Sequence, residues 1–194
     1  MSRIVVVDTE TTGLSVKNGG RVIEIGAVVV ENRQIVDELT TLINTGAAIS
    51  YGAFRVHGIS QQMLADKPTP EDVWPEFVEL VGDSPLVAHN APFDRAFVQH
   101  ELFLLGLPTA NSWQCTLMHA RRKLPRLANH RLETVYRHLF GGLPEDVQRH
   151  RALDDARMAA RVWMELQQKT WTLKGEGVRV GWQKNENIKR LNWW

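Results

Sequence analysis

The sequence predicts an α/β protein with a central mixed β-sheet flanked by α-helices, and three observations carry that prediction. Apolar, β-branched runs crowd the first 43 residues in the order of a strand meander. Beyond residue 70, apolar residues recur at helical spacing. A further short apolar strand falls between two of those helical stretches, so strands come first and then alternate with helices.

Each element has its own warrant. Ile4-Val5-Val6-Val7-Asp8 reads as a buried strand. Val22–Val30 and Ile35–Ile43 read as two more, and the short Glu31-Asn32-Arg33 link between them suits a hairpin. The spacing of Val73, Phe77, Leu80 and Val81 predicts a helix over 70–81. Leu86-Val87-Ala88 is a short strand, followed by a helix from about Pro92 to Leu105 on the recurrence of Phe93, Phe97 and Leu104. Leu132, Val135, Leu139 and Phe140 suggest a helix ended by Gly141-Gly142. The last long helix covers roughly 151–167 and buries Ala156, Ala159, Val162, Trp163 and Leu166.

Composition bounds the class. The 194 residues are 43% hydrophobic and 23% charged, the profile of an ordinary globular domain with a full core. The net charge of +1 argues against a polyanion binder held by bulk charge, so any nucleic-acid contact must be local. The single cysteine, Cys115, excludes an internal disulfide and a Cys-based zinc site. No apolar run approaches the ~20 residues of a membrane span. Asp8 interrupts any apolar signal region, so a soluble cytoplasmic protein is the expectation. Charge is uneven: residues 1–168 carry 17 basic and 20 acidic side chains, residues 169–194 six and two. The latter stretch also holds Trp171, Trp182, Trp193 and Trp194. This places a domain boundary near 168 and makes 169–194 a basic, Trp-rich extension whose rings are expected to pack on the main domain.

Three segments carry chemistry. In Asp8-Thr9-Glu10, positions i and i+2 of a strand point the same way, so two carboxylates aim together beyond a sheet edge. Adjacent anions repel unless a cation or shared proton compensates, and hard oxygen ligands suit Mg²⁺ or Mn²⁺. A solvated strand end with a turn at Thr12-Gly13 is the plainer alternative. Asp94 follows a strand running into a helix start, near the same sheet edge. Alone, it reads equally as a first-turn acid stabilised by the helix dipole, worth about 0.3–1 kcal/mol. His89 and Asn90 read as structural hydrogen-bonding groups of that turn. His150, ahead of Asp154-Asp155, can serve as base, ligand or cap.

Taken together, Val7-Asp8-Thr9-Glu10-Thr11-Thr12-Gly13, His89-Asn90-Ala91-Pro92-Phe93-Asp94 and His150-Arg151-Ala152-Leu153-Asp154-Asp155-Ala156 resemble the three motifs of the DEDDh (DnaQ-like) 3′→5′ exonucleases. That family includes the epsilon subunit of DNA polymerase III, exonuclease X and ribonuclease T. Val56-His57-Gly58-Ile59 resembles a further family segment. The resemblance spans residues 4 to about 167 and implies a ribonuclease H-like fold. It also implies an exonuclease that uses two divalent ions, Mg²⁺ or Mn²⁺, to release nucleoside monophosphates from single-stranded 3′ ends, DNA favoured and RNA the alternative. Asp8, Glu10, Asp94 and Asp155 match the family's metal-binding carboxylates, and His150 matches its general base. Thr11, His57 and Phe93 match positions that contact the terminal nucleotide, Phe93 being equally readable as core. DNA polymerase subunits are implied as partners if the chain is epsilon-like, and an accessory nucleic-acid-binding module is the reading from another class.

Two details stay open at this level. On a regular helix His150 and Asp154 would share a face, whereas Asp155 lies about 140° round from His150. The family motif favours Asp155, and both hold if His150 sits on a loop before the helix, with Asp154 turned towards Arg151 or Arg157. The run Arg121-Arg122-Lys123 with Arg126 reads either as a backbone-gripping surface or as a solvated helix face.

Overall fold

The computed structural model describes residues 3–108, 110–145 and 150–168. The extension 169–194, and with it the expected packing of its tryptophans, lies outside the described residues. A five-stranded sheet forms the centre, in the order β3-β2-β1-β4-β5. Its strands are β1 (Ile4–Thr11), β2 (Val22–Glu31), β3 (Gln34–Leu42), β4 (Leu86–Ala88) and β5 (Trp113–Cys115). The first three form an antiparallel meander, while β4 runs parallel to β1 and β5 parallel to β4. The sheet is therefore mixed, as expected. Asn32 and Arg33 both take positive φ, 48° and 66°, and turn β2 into β3 in a two-residue loop whose twist matches the strands.

The helices are α1 (Tyr51–His57), α2 (Gln61–Leu64), α3 (Pro70–Val81), α4 (Ala91–Leu104), α5 (Thr116–Lys123), α6 (Leu132–Phe140) and α7 (Ala152–Leu166). The start of α3 is set by Pro70 at its first position and by Asp72, whose carboxylate accepts from the Thr69 amide at 2.8 Å. Among the described residues no helix is long and apolar enough to cross a membrane.

Strand alternation sorts the core into two layers. Val5 and Val7 of β1 pack with Trp74 and Phe77 of α3 and with Phe97 and Leu102 of α4 on one face. Ile4 and Val6 pack with Ala156, Ala159, Ala160 and Trp163 of α7 on the other. Small residues on α7 let it lie close to the sheet. The closest point is Gly26 of β2, opposite Asp8 in the ladder: a Cβ there would stand 2.3 Å from the backbone of Ala152 and Leu153. The missing side chain is thus what seats the N-terminus of α7.

Three differences from the sequence reading have physical causes. β1 runs on past Asp8 to Thr11, because Thr9, Glu10 and Thr11 pair with Ile25, Glu24 and Val22. The ladder supplies what local propensity does not. α1 and α2 do not show in the apolar pattern; α1 buries only His57 and α2 only Leu64. β5 is three residues long, and the basic stretch after it is the short helix α5.

Candidate active site

The alternation that sorts the core also sorts the acids. Asp8 and Glu10 continue the side of Ile4 and Val6, towards α7, while Thr9 and Thr11 continue the side of Val5 and Val7, towards α4. Oxygen or nitrogen atoms of Glu10, His150 and Asp155 lie within 4.8 Å of one another. Asp94 enters from the first turn of α4, which begins after Asn90 turns the chain out of β4 with a φ of 79°. It is buried, and the Thr9 hydroxyl donates to its Oδ1 at 3.0 Å. Asp8 lies within electrostatic reach of Asp94, Asp155, Glu10 and Glu24 together.

Electrostatics show how crowded these carboxyls are. Burial, then the charges of Asp94, Asp155, Glu10 and Glu24, hold Asp8 well above the ordinary range. Burial followed by Glu24, Asp155 and Asp94 pushes Glu10 up to about 8, against the pull of Arg151. Burial raises Asp94 to about 7 against its hydrogen bond from Thr9. Asp155 is likewise raised to about 7, chiefly by burial and against a bond from the backbone of His150. Among the described residues, the neighbouring Arg151 guanidinium is bonded to Glu24 at 2.8 and 2.9 Å. Several dry oxygen donors that resist ionising together suit a hard divalent cation, whose charge removes the repulsion.

The last motif resolves as a loop followed by a helix. α7 begins at Ala152, so His150 stands ahead of it, exposed, with a left-handed φ of 59°. This frees it from the helical spacing that would pair it with Asp154. Asp154 turns away to Arg157, 3.2 Å from its Nη1. Asp155 emerges beside the buried flank of α7 that runs through Ala159 and Val162.

The other expected contact residues are placed as follows. Thr11 is buried and its hydroxyl donates to the Gly13 carbonyl at 2.7 Å. His57 accepts from the Ile59 amide at Nδ1, 3.0 Å, which leaves Nε2 to donate to the Thr11 carbonyl at 3.3 Å. Both ring nitrogens are therefore engaged with backbone, and the ring ties α1 to the end of β1. Phe93 is half-buried against Phe97, with ring centroids 4.9 Å apart. His89 bonds Thr116 at 2.7 Å and the His130 carbonyl at 2.9 Å, a structural role as read from sequence. Of the basic run, Arg121, Arg122 and Arg126 are exposed, but Lys123 caps the end of α7 through the Leu166 carbonyl.

Sequence reasoning missed Thr9, Glu24 and Gly26. A signal for two of them was present: in Val22–Val30, Glu24 and Gly26 interrupt an otherwise apolar strand. A buried strand carries an acid or a glycine in its middle only where a partner or a close approach compensates.

The fold is a ribonuclease H-like architecture, and its carboxylates gather at one end of the sheet. The exonuclease family model RNase_T matches residues 5–163, and the chain belongs to this DEDDh, DnaQ-like exonuclease family. The DNA polymerase III subunit epsilon of Rickettsia felis is 37% identical over 171 residues, covering 84% of this chain and 73% of that protein. The DNA polymerase III PolC-type of Clostridium perfringens is 40% identical over 158 residues, covering 81% of this chain but only 11% of the polymerase. Among solved structures, exonuclease X in complex with 5′ overhanging duplex DNA superimposes with a TM-score of 0.68 at 34% identity, covering 84% of this chain and 90% of that one.

Proposed function

We propose that the protein removes nucleoside monophosphates from the 3′ end of single-stranded nucleic acid, preferentially DNA, by hydrolysis assisted by two Mg²⁺ or Mn²⁺ ions. The observation that supports this best is the convergence of Asp8, Glu10, Asp94 and Asp155 on one end of the sheet beside an exposed His150. Those four carboxylates would hold the metal. Bound there, divalent ions would supply an acidified water and charge stabilisation for the leaving oxygen. His150 takes a proton from the attacking water through a ring nitrogen and, being exposed, passes it to solvent. The water oxygen bonds to phosphorus, and the bond from phosphorus to the 3′ oxygen of the preceding nucleotide breaks. That oxygen picks up a proton, so a nucleoside 5′-monophosphate departs and a new 3′ hydroxyl remains. Thr11 and Phe93 lie beside the acids in sequence and border the terminal nucleotide, while His57 supports Thr11 through its carbonyl. Arg121, Arg122 and Arg126 supply exposed charge for the sugar–phosphate backbone. The exonuclease X relative is seen with DNA, which favours DNA over RNA, and the epsilon relative makes DNA polymerase subunits the candidate partners.

Matched 5′-labelled and 3′-labelled single strands of DNA and RNA test the reading. Stepwise shortening of the 5′-labelled strand in Mg²⁺ or Mn²⁺, immediate release of a labelled mononucleotide from the 3′-labelled one and silence in EDTA are expected. Rapid cutting of a circular single strand, or full turnover in EDTA, would overturn it.

A further inference from the structure

A fifth carboxylate stands beside the four. Glu24 of β2 is the direct partner of Glu10 across the antiparallel ladder, so both side chains rise from the same face of the sheet. Its side chain is 2% exposed, and like charges placed opposite one another repel. Both of its oxygens are nevertheless committed elsewhere. Oε1 accepts from Arg151 Nε at 2.9 Å and Nη2 at 2.8 Å, and Oε2 accepts from the Ala152 amide at 3.2 Å. Ala152 is the first residue of α7, whose N-cap, Arg151, makes no capping bond with its own side chain. Glu24 thus caps the helix from a neighbouring strand and places its charge at the positive end of the helix dipole.

Arg151 links this cap to the proposed chemistry. Its side chain reaches Glu24, its carbonyl accepts from the Asp155 amide at 3.1 Å, and its own chain neighbour is His150. His150 keeps a left-handed φ of 59°, a conformation uncommon for a residue other than glycine. The rest of α7 has separate anchors: Arg157 bonds Glu38 of β3 at 2.8 and 2.5 Å, and Ala156, Ala159 and Ala160 pack on the sheet. Asp155 therefore stays with the helix when the cap is lost, whereas the residues ahead of the helix do not.

We propose that Glu24 and Arg151 form a positioning clamp that sets the exposed His150 over the site of hydrolysis, an inference that rests on reading His150 as the general base. Neither residue is a metal ligand or a substrate contact. The clamp fixes where the loop joins the helix, and thereby the approach of the imidazole to Glu10 and Asp155.

The test compares Glu24→Gln, Arg151→Gln, Arg151→Lys, the double variant Glu24→Gln/Arg151→Gln and His150→Ala in the full chain, at a temperature well below every Tm. The readouts are kcat and KM on a short single strand and Mn²⁺ affinity by calorimetry. Glu24→Gln and Arg151→Gln should each lower kcat about 10- to 100-fold with KM and Mn²⁺ affinity within about threefold, as misplacement of a reacting group predicts. Arg151→Lys should recover part of the loss, and the double variant should be no worse than the poorer single one. If Glu24→Gln fails to fold, the partly exposed Arg151 carries the comparison. Unchanged kcat in the clamp variants with His150→Ala inactive would refute the clamp and leave the base standing. A rise in KM alone would make Arg151 a phosphate contact, and a loss of Mn²⁺ affinity would make the pair a support of the ligands; either outcome overturns the proposal. Full activity of His150→Ala would instead sink the reading of the base itself.

Discussion

Replacing Gly26 by alanine adds one methyl group at the most crowded contact between α7 and the sheet. That methyl would stand 2.3 Å from the Ala152 carbonyl carbon and the Leu153 nitrogen, and 2.4 Å from the Ala152 oxygen. Carbon atoms rest about 3.5–4.0 Å apart, so one backbone must retreat from the other by roughly 1 Å or more. The obstacle is main chain on both sides, with no flexible side-chain end to swing away. Overpacking of this kind costs about 1–3 kcal/mol, and each kcal/mol lowers Tm by about 2–4 °C in a chain of this size. The effect on activity should be larger than the effect on stability. Gly26 pairs with Asp8, and the displaced segment carries His150 and Asp155, so the shift opens the site itself. A 1 Å displacement of catalytic groups can cost about 100-fold, and kcat in Gly26→Ala should fall by that order at a temperature where the variant is fully folded. Initial rates on a 5′-labelled single strand, with a thermal melt of the same preparation, decide it. A kcat within about twofold of the parent and an unchanged Tm would mean that the seat of α7 is not what holds these groups in place.

Two further outcomes follow from the acids. Asp155→Asn should lower kcat by orders of magnitude while Asp154→Asn, whose carboxylate turns away to Arg157, should cost less than about tenfold; the reverse ranking in a kinetic comparison would mean the metal-binding register is Asp154. Asp94 and Asp155 titrate near 7 and Glu10 near 8 in the fold, but near 4 in an unfolded chain, so the metal-free folded protein binds more protons than the unfolded one. Their contribution to stability is complete below about pH 4 and is lost as pH rises through 7–8. In EDTA, Tm should therefore be lower at pH 8 than at pH 5.5, and Mg²⁺ or Mn²⁺ should raise it more at pH 8; a metal-free Tm that climbs over that range would contradict the crowding of the carboxyls.

The elements that were legible in the sequence are those whose own residues carry the signal. α3 is one, because Pro70 and the spacing of Val73, Phe77 and Val81 mark its start and its buried face. β2 is another, since its apolar run needs no partner to be seen. The end of β1 was not, because Thr9, Glu10 and Thr11 become strand only through the ladder to β2. The acids were legible as a constellation, and their order along the chain carried the family resemblance. What supports them was not: Glu24 shows its use only when α7 is laid across the sheet, and Gly26 only when that helix is seen to touch it. His57 shows a different limit, since the two backbone bonds of its ring, which tie α1 to the end of β1, have no signal in the sequence.

The division of the site between the two faces of the sheet also has a consequence in time. Asp8 and Glu10 leave the ribosome before α7, which brings His150 and Asp155 roughly 145 residues later. At about 5–20 residues per second that interval is roughly seven to thirty seconds. Throughout it the strand bearing the first two acids exists without the helix that closes over its outer face. On the proposed assignment a nascent chain is silent towards nucleic acid beside it, and the ability to cut arrives in one step with the docking of α7.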